Sequence, residues 1–363
     1  MSTDAIASKE PPGQNKLIEA PKIAVIYSDV KREYFPTEQQ YITEKNALSD
    51  ATIIANEIKK LGCPVFLYPG NESLTASILK DKPAMIFNLV DSIKGNEYLS
   101  STIPGMLDMM DIPYTGAGLL GLALCYNKFL TKKLLQNSGV PVPNFQLFNA
   151  ANEPLDINLR FPLISKLNEI HGAVEITEKS ISENEKELRD RLEFLIKTYK
   201  QPVLVEEYIA GREIVVYMLQ GFNVKTYMAE KIFNKPNEKY QIATFDDQWT
   251  EGDKKPEDQA YIYKKYEDPN LKEFARKAFD ITRMEDYGKF DVRQDASGRF
   301  YFIDVNLNPA FGPKKLDTAI GLIIEDLYGL PFTDILKRLI FHTLSEENST
   351  SNENGHTHNG SGN

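Results

Sequence analysis

The stretch from Phe290 to Pro313, FDVRQDASGRFYFIDVNLNPAFGP, sets the tightest limit on what this chain can fold into. Asp295-Ala296-Ser297-Gly298 is turn chemistry between two runs of alternating apolar residues, which makes the stretch a β-hairpin. With Ser297-Gly298 as a two-residue turn, Asp291 lies directly opposite Asp304, and Asn306 points to the same face two residues further on. Two facing carboxylates repel unless something positive sits between them. Two carboxylates and an amide oxygen are hard ligands that suit Mg²⁺ and leave positions for phosphate oxygens. A longer turn or a bulge would move this register by one residue. Taken alone, the same residues read equally well as a solvated antiparallel face.

The chain has 363 residues, enough for two or three domains, and its hydrophobic and charged fractions of 42% and 26% are ordinary for a globular protein. A net charge of -10 argues against a general nucleic-acid or membrane-surface partner, both of which favour a basic balance. Cys63 and Cys125 are the two cysteines, too few for a disulfide framework or a zinc cluster. No apolar run is long enough to span a bilayer, and residues 1–20 lack the apolar core of a secretion signal, so the expected location is cytoplasmic. Residues 1–20 and the polar tail 345–363, which holds His356 and His358, are expected to be disordered.

Along the chain, KIAVIYS (22–28), PVFLYP (64–69) and AMIFNL (84–89) read as buried strands. A helix over ALSDATIIANEIKKLG presents Leu48, Ala51, Ala55, Ile58 and Leu61 on one face. Strands alternating with helices imply a small parallel sheet covered on both sides, with ligands bound beyond its carboxyl ends. Asn88, Asp91, Ser92 and Glu97 fall at that mouth. Residues 29–46 read as a long loop without a G-x-G-x-x-G pattern, and no P-loop stretch occurs anywhere. A single long helix is expected over GLALCYNKFLTKKLLQNSG, from Gly121 to Gly139. FPLISKL, a charged helix over 183–200 and PVLVEEYI then form a second, α+β block. A third α+β block begins near Gly211, contains a helix over 269–282 and the hairpin, and closes with two helices. Only His171 and His342 lie outside the tail, so acid–base chemistry must run on carboxylates, lysines, tyrosines or the substrate.

The segments IFNLVDS-x3-NE, MLDMMDIPYTG, NKFLTKKLLQNSGVPVP, VLVEEYIAGREIVV and GKFDVRQDASGRFYFIDVNLNPAF occur in one order over residues 20–340. In that combination the chain resembles the ATP-grasp superfamily, most closely its D-alanine–D-alanine ligase branch. The resemblance implies an α/β (α+β) three-domain ATP-grasp fold. A parallel-sheet domain over 21–127 would precede two α+β units, 128–211 and 212–344, that clamp ATP between their sheets. It also implies that Lys128 and Lys166 contact the ATP phosphates, that Glu206 and Ile209 hold adenine with Glu207 beside them, and that Glu213 takes the ribose. Asp291, Asp304 and Asn306 would ligate one or two Mg²⁺, or Mn²⁺, bridging the phosphates. Family enzymes activate a carboxylate as an acyl phosphate for attack by an amine, and homodimers are common among them.

Departures from the family pattern concentrate on the amino-acid side. Lys289 stands two residues before the first metal aspartate, where the family has an arginine for the oxyanion; the charge is kept but the forked grip is lost. The phosphate-covering loop reads IHGAVEI, with His171 and Glu175 replacing small residues. Gln248-Trp249 replaces a lysine–tyrosine pair, and Lys314-Lys315 lies where a serine would hold the second substrate's carboxylate. The acidic amine-binding motif is missing, with Glu44 a candidate substitute and Glu97 a further substrate-side residue. The expected function is therefore a specialised amino-acid or dipeptide ligase acting on small molecules, with Trp249 over an apolar group and Lys314 and Lys315 meeting a carboxylate. A D-alanine–D-alanine ligase and a non-catalytic ATP-binding protein are the alternatives.

Overall fold

The computed structural model describes residues 20–249 and 259–354. Strands β1 (Ile23–Tyr27), β2 (Val65–Pro69) and β3 (Met85–Leu89) form a parallel sheet of order β2-β1-β3. Ile23, Ala24, Val25 and Ile26 are all fully buried because both faces are covered. Helix α1 (Glu38–Glu44) lies between β1 and α2 (Ala47–Lys59), followed after β2 by α3 (Leu74–Asp81) and after β3 by α4 (Glu97–Ser100) and α5 (Thr102–Met109). Ala51, Ile54, Ala55 and Ile58 of α2 cover one face of the sheet, and Leu74, Ile78, Ile103 and Leu107 cover the other.

Two local expectations fail here for identifiable reasons. Residues 29–46 are not a continuous loop. Thr37 accepts a hydrogen bond from the Gln40 backbone N–H and starts α1. On α2 the buried stripe is rotated toward Ile54, leaving Leu48 54% exposed.

The helix expected from Gly121 to Gly139 is two helices, α6 (Leu119–Cys125) and α7 (Lys128–Asn137). Asn127 leaves helical geometry and caps α7 by accepting from Leu130 N–H, which places Lys128 at the first position of a new helix. The second sheet, order β4-β7-β5-β6, holds β4 (Phe145–Phe148), β5 (Leu163–Leu167), β6 (Ile181–Ser182) and β7 (Val203–Glu207). It packs on Leu188, Leu192 and Leu195 of α8 (Glu185–Tyr199).

The third sheet is antiparallel, order β10-β9-β8-β11-β12. Its strands are β8 (Arg212–Leu219), β9 (Lys225–Phe233), β10 (Tyr261–Lys265), β11 (Tyr287–Gln294) and β12 (Phe300–Asn306), with α9 (Phe245–Trp249) before β10 and α10 (Pro269–Ile281) before β11. One face carries Ile214, Val216, Met218, Phe290 and Val292 against α10 and Leu135 of α7. The opposite face carries Val215, Tyr217, Leu219 and Tyr287 against a π-helical segment, Gly321–Leu327, and α11 (Phe332–Asn354). Helix α7 touches both α+β units, Leu135 entering this third unit's core while Phe129 meets Phe145 of β4 with ring centroids 5.7 Å apart.

Helix α11 also runs to Asn354, ten residues into the tail expected to be disordered. Extending a formed helix costs far less than starting one. His356, His358 and residues 1–19 lie outside the described residues. Among the described residues no helix is long and apolar enough to cross a membrane.

Candidate active site

The hairpin of β11 and β12 reaches its expected register by an unexpected route. Its loop has three residues, not two: Asp295 N–H donates to Arg299 O at 3.0 Å, Gly298 N–H donates to Asp295 O at 2.9 Å, and Gly298 takes φ +84°. The pairs Gln294↔Phe300, Arg293↔Tyr301 and Val292↔Phe302 are therefore displaced by one residue from the two-residue-turn register. A bulge between Val292 and Asp291 then restores it, giving Asp291↔Asp304 and Lys289↔Asn306. The two departures cancel. Core residues of β12 and its exit are Phe300, Phe302, Val305 and Leu307, so the alternation breaks at Ile303-Asp304.

Asp291 is buried; its Oδ2 pairs with Lys289 Nζ at 2.9 Å, while its Oδ1 is buried without a hydrogen-bond partner. Asn306 Nδ2 donates to Asp304 Oδ2 at 3.4 Å. Desolvation pushes the Asp304 carboxyl up, but the positive charges of Lys128, His171, Lys166 and Lys289 outweigh it and bring it down to about 2.

The expected phosphate-binding lysines converge on the same region. Lys128 Nζ donates to Ile170 O at 2.7 Å, and Lys166 Nζ donates to Ile303 O at 2.9 Å. Glu206, fully buried on β7, is flanked by Lys166 at 2.7 Å and by Lys132 of α7. Burial pulls the Lys132 ammonium down to about 8, whereas Lys132 and Lys166 together overcome the burial of Glu206 and hold its carboxyl below the usual range. Glu213 occupies a similar setting one sheet away. It lies between Lys231 at 2.6 Å and Arg293 at 2.7 Å, in the register Lys231↔Glu213↔Arg293 across β9, β8 and β11. Burial raises its carboxyl, but the two cations bring it down to about 2.

Lys132, Lys231 and Arg293 were not singled out from the sequence. The available signals were weak: Lys132 follows Lys128 by one helical turn, and the other two are cations within strands.

The remaining candidates divide. Glu207 points away from Glu206 and holds Asn144 Nδ2 at 3.1 Å and Arg160 N–H at 2.8 Å, so its carboxylate serves the second sheet's own loops. Ile209 is half-buried just past β7. Trp249 Nε1 donates to Gly172 O at 2.7 Å, bringing α9 onto the IHGAVEI loop. The Glu97 carboxylate accepts from His171 N–H and pairs with His171 Nδ1 at 2.8 Å, fastening that loop to the N-terminal unit.

Beside this contact, Ser92 Oγ donates to the buried Glu44 at 2.8 Å. Burial, together with Glu97, raises the Glu44 carboxyl to about 7. Asp91 is pushed well above the usual range by burial and by Glu44, Glu97 and Asp50. The parallel-sheet mouth and Glu44 thus form one acidic cluster.

Lys314 and Lys315 do not join these residues. Lys314 Nζ pairs with Asp326 and Lys315 Nζ with Glu57 of α2 at 3.1 Å, both about half exposed. The expectation that they meet a substrate carboxylate has no support in these contacts.

Among the described residues no group of three or more His, Cys, Asp or Glu is arranged to hold a metal. The hairpin offers two carboxylates and an amide, one carboxylate oxygen being buried and unpartnered. That donor set fits a hard divalent cation whose other ligands are phosphate oxygens and water.

Two α+β units with lysines and carboxylates between their sheets define an ATP-grasp ligase. Residues 134–341, more than half of the chain, match the family model described as the D-ala D-ala ligase C-terminus, and the chain belongs to that family of ADP-forming carbon–nitrogen ligases. It is 28% identical over 271 residues to the uncharacterised protein y4sG of Sinorhizobium fredii, covering 72% of this chain and 78% of the relative. It is 24% identical over 265 residues to the D-alanine–D-alanine ligase of Aquifex aeolicus, covering 72% and 85%. In fold it is similar to the crystal structure of D-alanine–D-alanine ligase from Bacillus anthracis, with TM-score 0.69, 20% identity, and 91% of this chain and 100% of that chain covered. The same enzyme complexed with ATP gives TM-score 0.65 at 19% identity, with the same coverage.

Proposed function

We propose that this protein is an ATP-dependent carboxylate–amine ligase whose substrates are amino-acid-type molecules other than two D-alanines. The observation that carries the reading is the facing pair Asp291 and Asp304, with one carboxylate oxygen unpartnered and with Lys128, Lys166 and Lys289 concentrated around Asp304. ATP brings about four negative charges, which need cations before a carboxylate can approach the γ-phosphorus. Lys128 and Lys166 would give up the backbone carbonyls of Ile170 and Ile303 to contact phosphate. Asp291, Asp304 and Asn306 would hold one or two Mg²⁺, or Mn²⁺, which when bound supply positive charge to the phosphate oxygens. Adenine would lie by Glu206 and the backbone near Ile209, and ribose by Glu213.

In the first step a carboxylate oxygen bonds to the γ-phosphorus as the bond to ADP breaks. In the second, an uncharged amine attacks the acyl carbon, phosphate leaves, and the nitrogen sheds a proton. Lys289 is the group on this face that answers the negative charge developing on the acyl oxygen. The acidic cluster of Glu44, Asp91 and Glu97 supports a cationic amine on the substrate, since the Glu44 and Asp91 carboxyls are pushed up by burial and by the neighbouring carboxylates. Trp249, held on Gly172, would cover the site.

The separation from D-alanine chemistry rests on Lys289, on the His171–Glu97 contact and on Trp249. A screen of L- and D-amino-acid pairs for ADP release with Mg²⁺-ATP, followed by product mass, tests the reading. Amide product from a pair other than D-alanine with D-alanine supports it. D-alanyl-D-alanine as the best product refutes the substrate assignment, and no ADP release from any pair refutes the ligase assignment.

A further inference from the structure

The bulge in β12 is what places Asp304 on the same face as Asp291. In the register of Val292↔Phe302 continued without interruption, Asp304 would pair with Phe290, whose side chain lies in the apolar core with Phe302. One extra residue, Ile303, reverses the alternation, so Val305 and not Asp304 enters that core. A bulge leaves backbone groups without ladder partners, and buried carbonyls of that kind must find donors elsewhere.

Here the donors are lysines. Lys132 Nζ donates to Phe302 O at 2.9 Å and to Ile303 O at 3.2 Å, and its third interaction is the ion pair with Glu206. Two of its three N–H donors are thus given to the bulge carbonyls, and the Glu206 carboxylate neutralises the ammonium they belong to. Lys166 also reaches Ile303 O and Glu206, but it is less deeply buried, its side chain 12% exposed against 5% for Lys132. Phe302 N–H is separately satisfied by Pro141 O at 2.8 Å, in the segment that follows α7.

We infer that Lys132 is a positioning residue for the acidic hairpin: by holding the Ile303 bulge it keeps Asp304 opposite Asp291. Lys166 is free to turn toward phosphate because Lys132 retains both bulge carbonyls and the Glu206 charge. Lys132 touches neither substrate nor metal in this assignment; it acts through the strand. The inference rests on the reading of Asp291, Asp304 and Asn306 as the metal site.

The test is Lys132→Met, which keeps the length and apolar stem but removes every donor, compared with Lys166→Met and Asp304→Asn in the full chain. Mn²⁺ binding with a non-hydrolysable ATP analogue is read by electron paramagnetic resonance, and the Mg²⁺ dependence of ADP release is read alongside. Lys132→Met is expected to weaken Mn²⁺ binding at least tenfold and lower kcat, with KM for ATP changed less than threefold. Lys166→Met is expected to do the reverse, raising KM for ATP while leaving Mn²⁺ affinity near that of the wild type. A folded Lys132→Met protein with wild-type Mn²⁺ affinity overturns the inference.

Lys132→Leu, which also removes every donor, covers the case in which the methionine variant is too unstable, and the same comparison applies to it. Failure of both Lys132 variants to fold, with Lys166→Met folded, also overturns the inference, since Lys132 would then be a determinant of the fold. If Asp304→Asn leaves Mn²⁺ binding unchanged, the metal-site reading itself fails, which the other variants would not show.

Discussion

Replacing Glu206 by glutamine tests how the interior of the cleft is balanced. The carboxylate is fully buried and its two oxygens face Lys132 and Lys166, so Glu206→Gln leaves two ammonium groups with one neutral amide between them. Removing one member of a buried ion pair typically costs about 3–5 kcal/mol, because the desolvated charge left behind has lost its partner. The carbonyls of Phe302 and Ile303 remain as acceptors and hold the loss toward the lower end, about 3 kcal/mol.

The sign of the pH dependence follows from Lys132. Its folded pKa, about 8, lies below the usual 10.5, so its contribution to stability is present at high pH and is lost as pH falls through 8. Without Glu206 that pKa falls further. The variant's deficit should then be largest near pH 6 and shrink toward pH 9, as the lysine sheds its proton. Urea unfolding followed by far-ultraviolet circular dichroism at the two pH values measures this. A double variant with Lys132→Met should lose less than the sum of the single changes. Equal midpoints for Glu206→Gln and wild type at pH 6, or a deficit that grows toward pH 9, would refute the reasoning.

Three further outcomes are expected. Asp304→Asn should fold with an unchanged circular dichroism spectrum yet release no ADP, and turnover at the wild-type rate would remove Asp304 from the metal site. Lys289→Ala should lower kcat by at least about tenfold, some 1.4 kcal/mol, with KM for ATP nearly unchanged; a loss confined to ATP affinity would argue against oxyanion stabilisation. Glu44 has a folded pKa of about 7 against a usual 4.5, so its stabilising contribution is complete below 4.5 and disappears as pH rises through 7. Glu44→Gln stays neutral, so without substrate it should exceed the wild type in stability by up to about 3 kcal/mol at pH 8 and match it near pH 4. Thermal melts at both pH values decide the point, and equal stability at pH 8 would show that Glu44 is not held as proposed.

Much of the architecture was legible in the chain. The apolar runs at Ile23–Tyr27, Val65–Pro69 and Met85–Leu89, the helical stripe through Ala51, Ala55 and Ile58, and the hairpin flanking Asp295–Gly298 are local patterns. Hydrophobic periodicity and turn chemistry specify such patterns without reference to the rest of the fold. The facing of Asp291 and Asp304 was read in the same way, because facing positions in a hairpin follow from the turn. Even there the right pairing came from two offsetting features, a longer loop and a bulge. The bulge was written in the break of alternation at Ile303-Asp304.

What only the tertiary structure decided is which charges neutralise which. Lys132 with Glu206, Lys231 and Arg293 with Glu213, and Glu97 with His171 join residues from 18 to 80 positions apart. Nothing in local spacing distinguishes these groups from surface charges. It also gave Lys314 and Lys315 partners of their own, Asp326 and Glu57. Periodicity reports which side of an element faces the core, whereas a charge is defined by its partners, and packing alone supplies those.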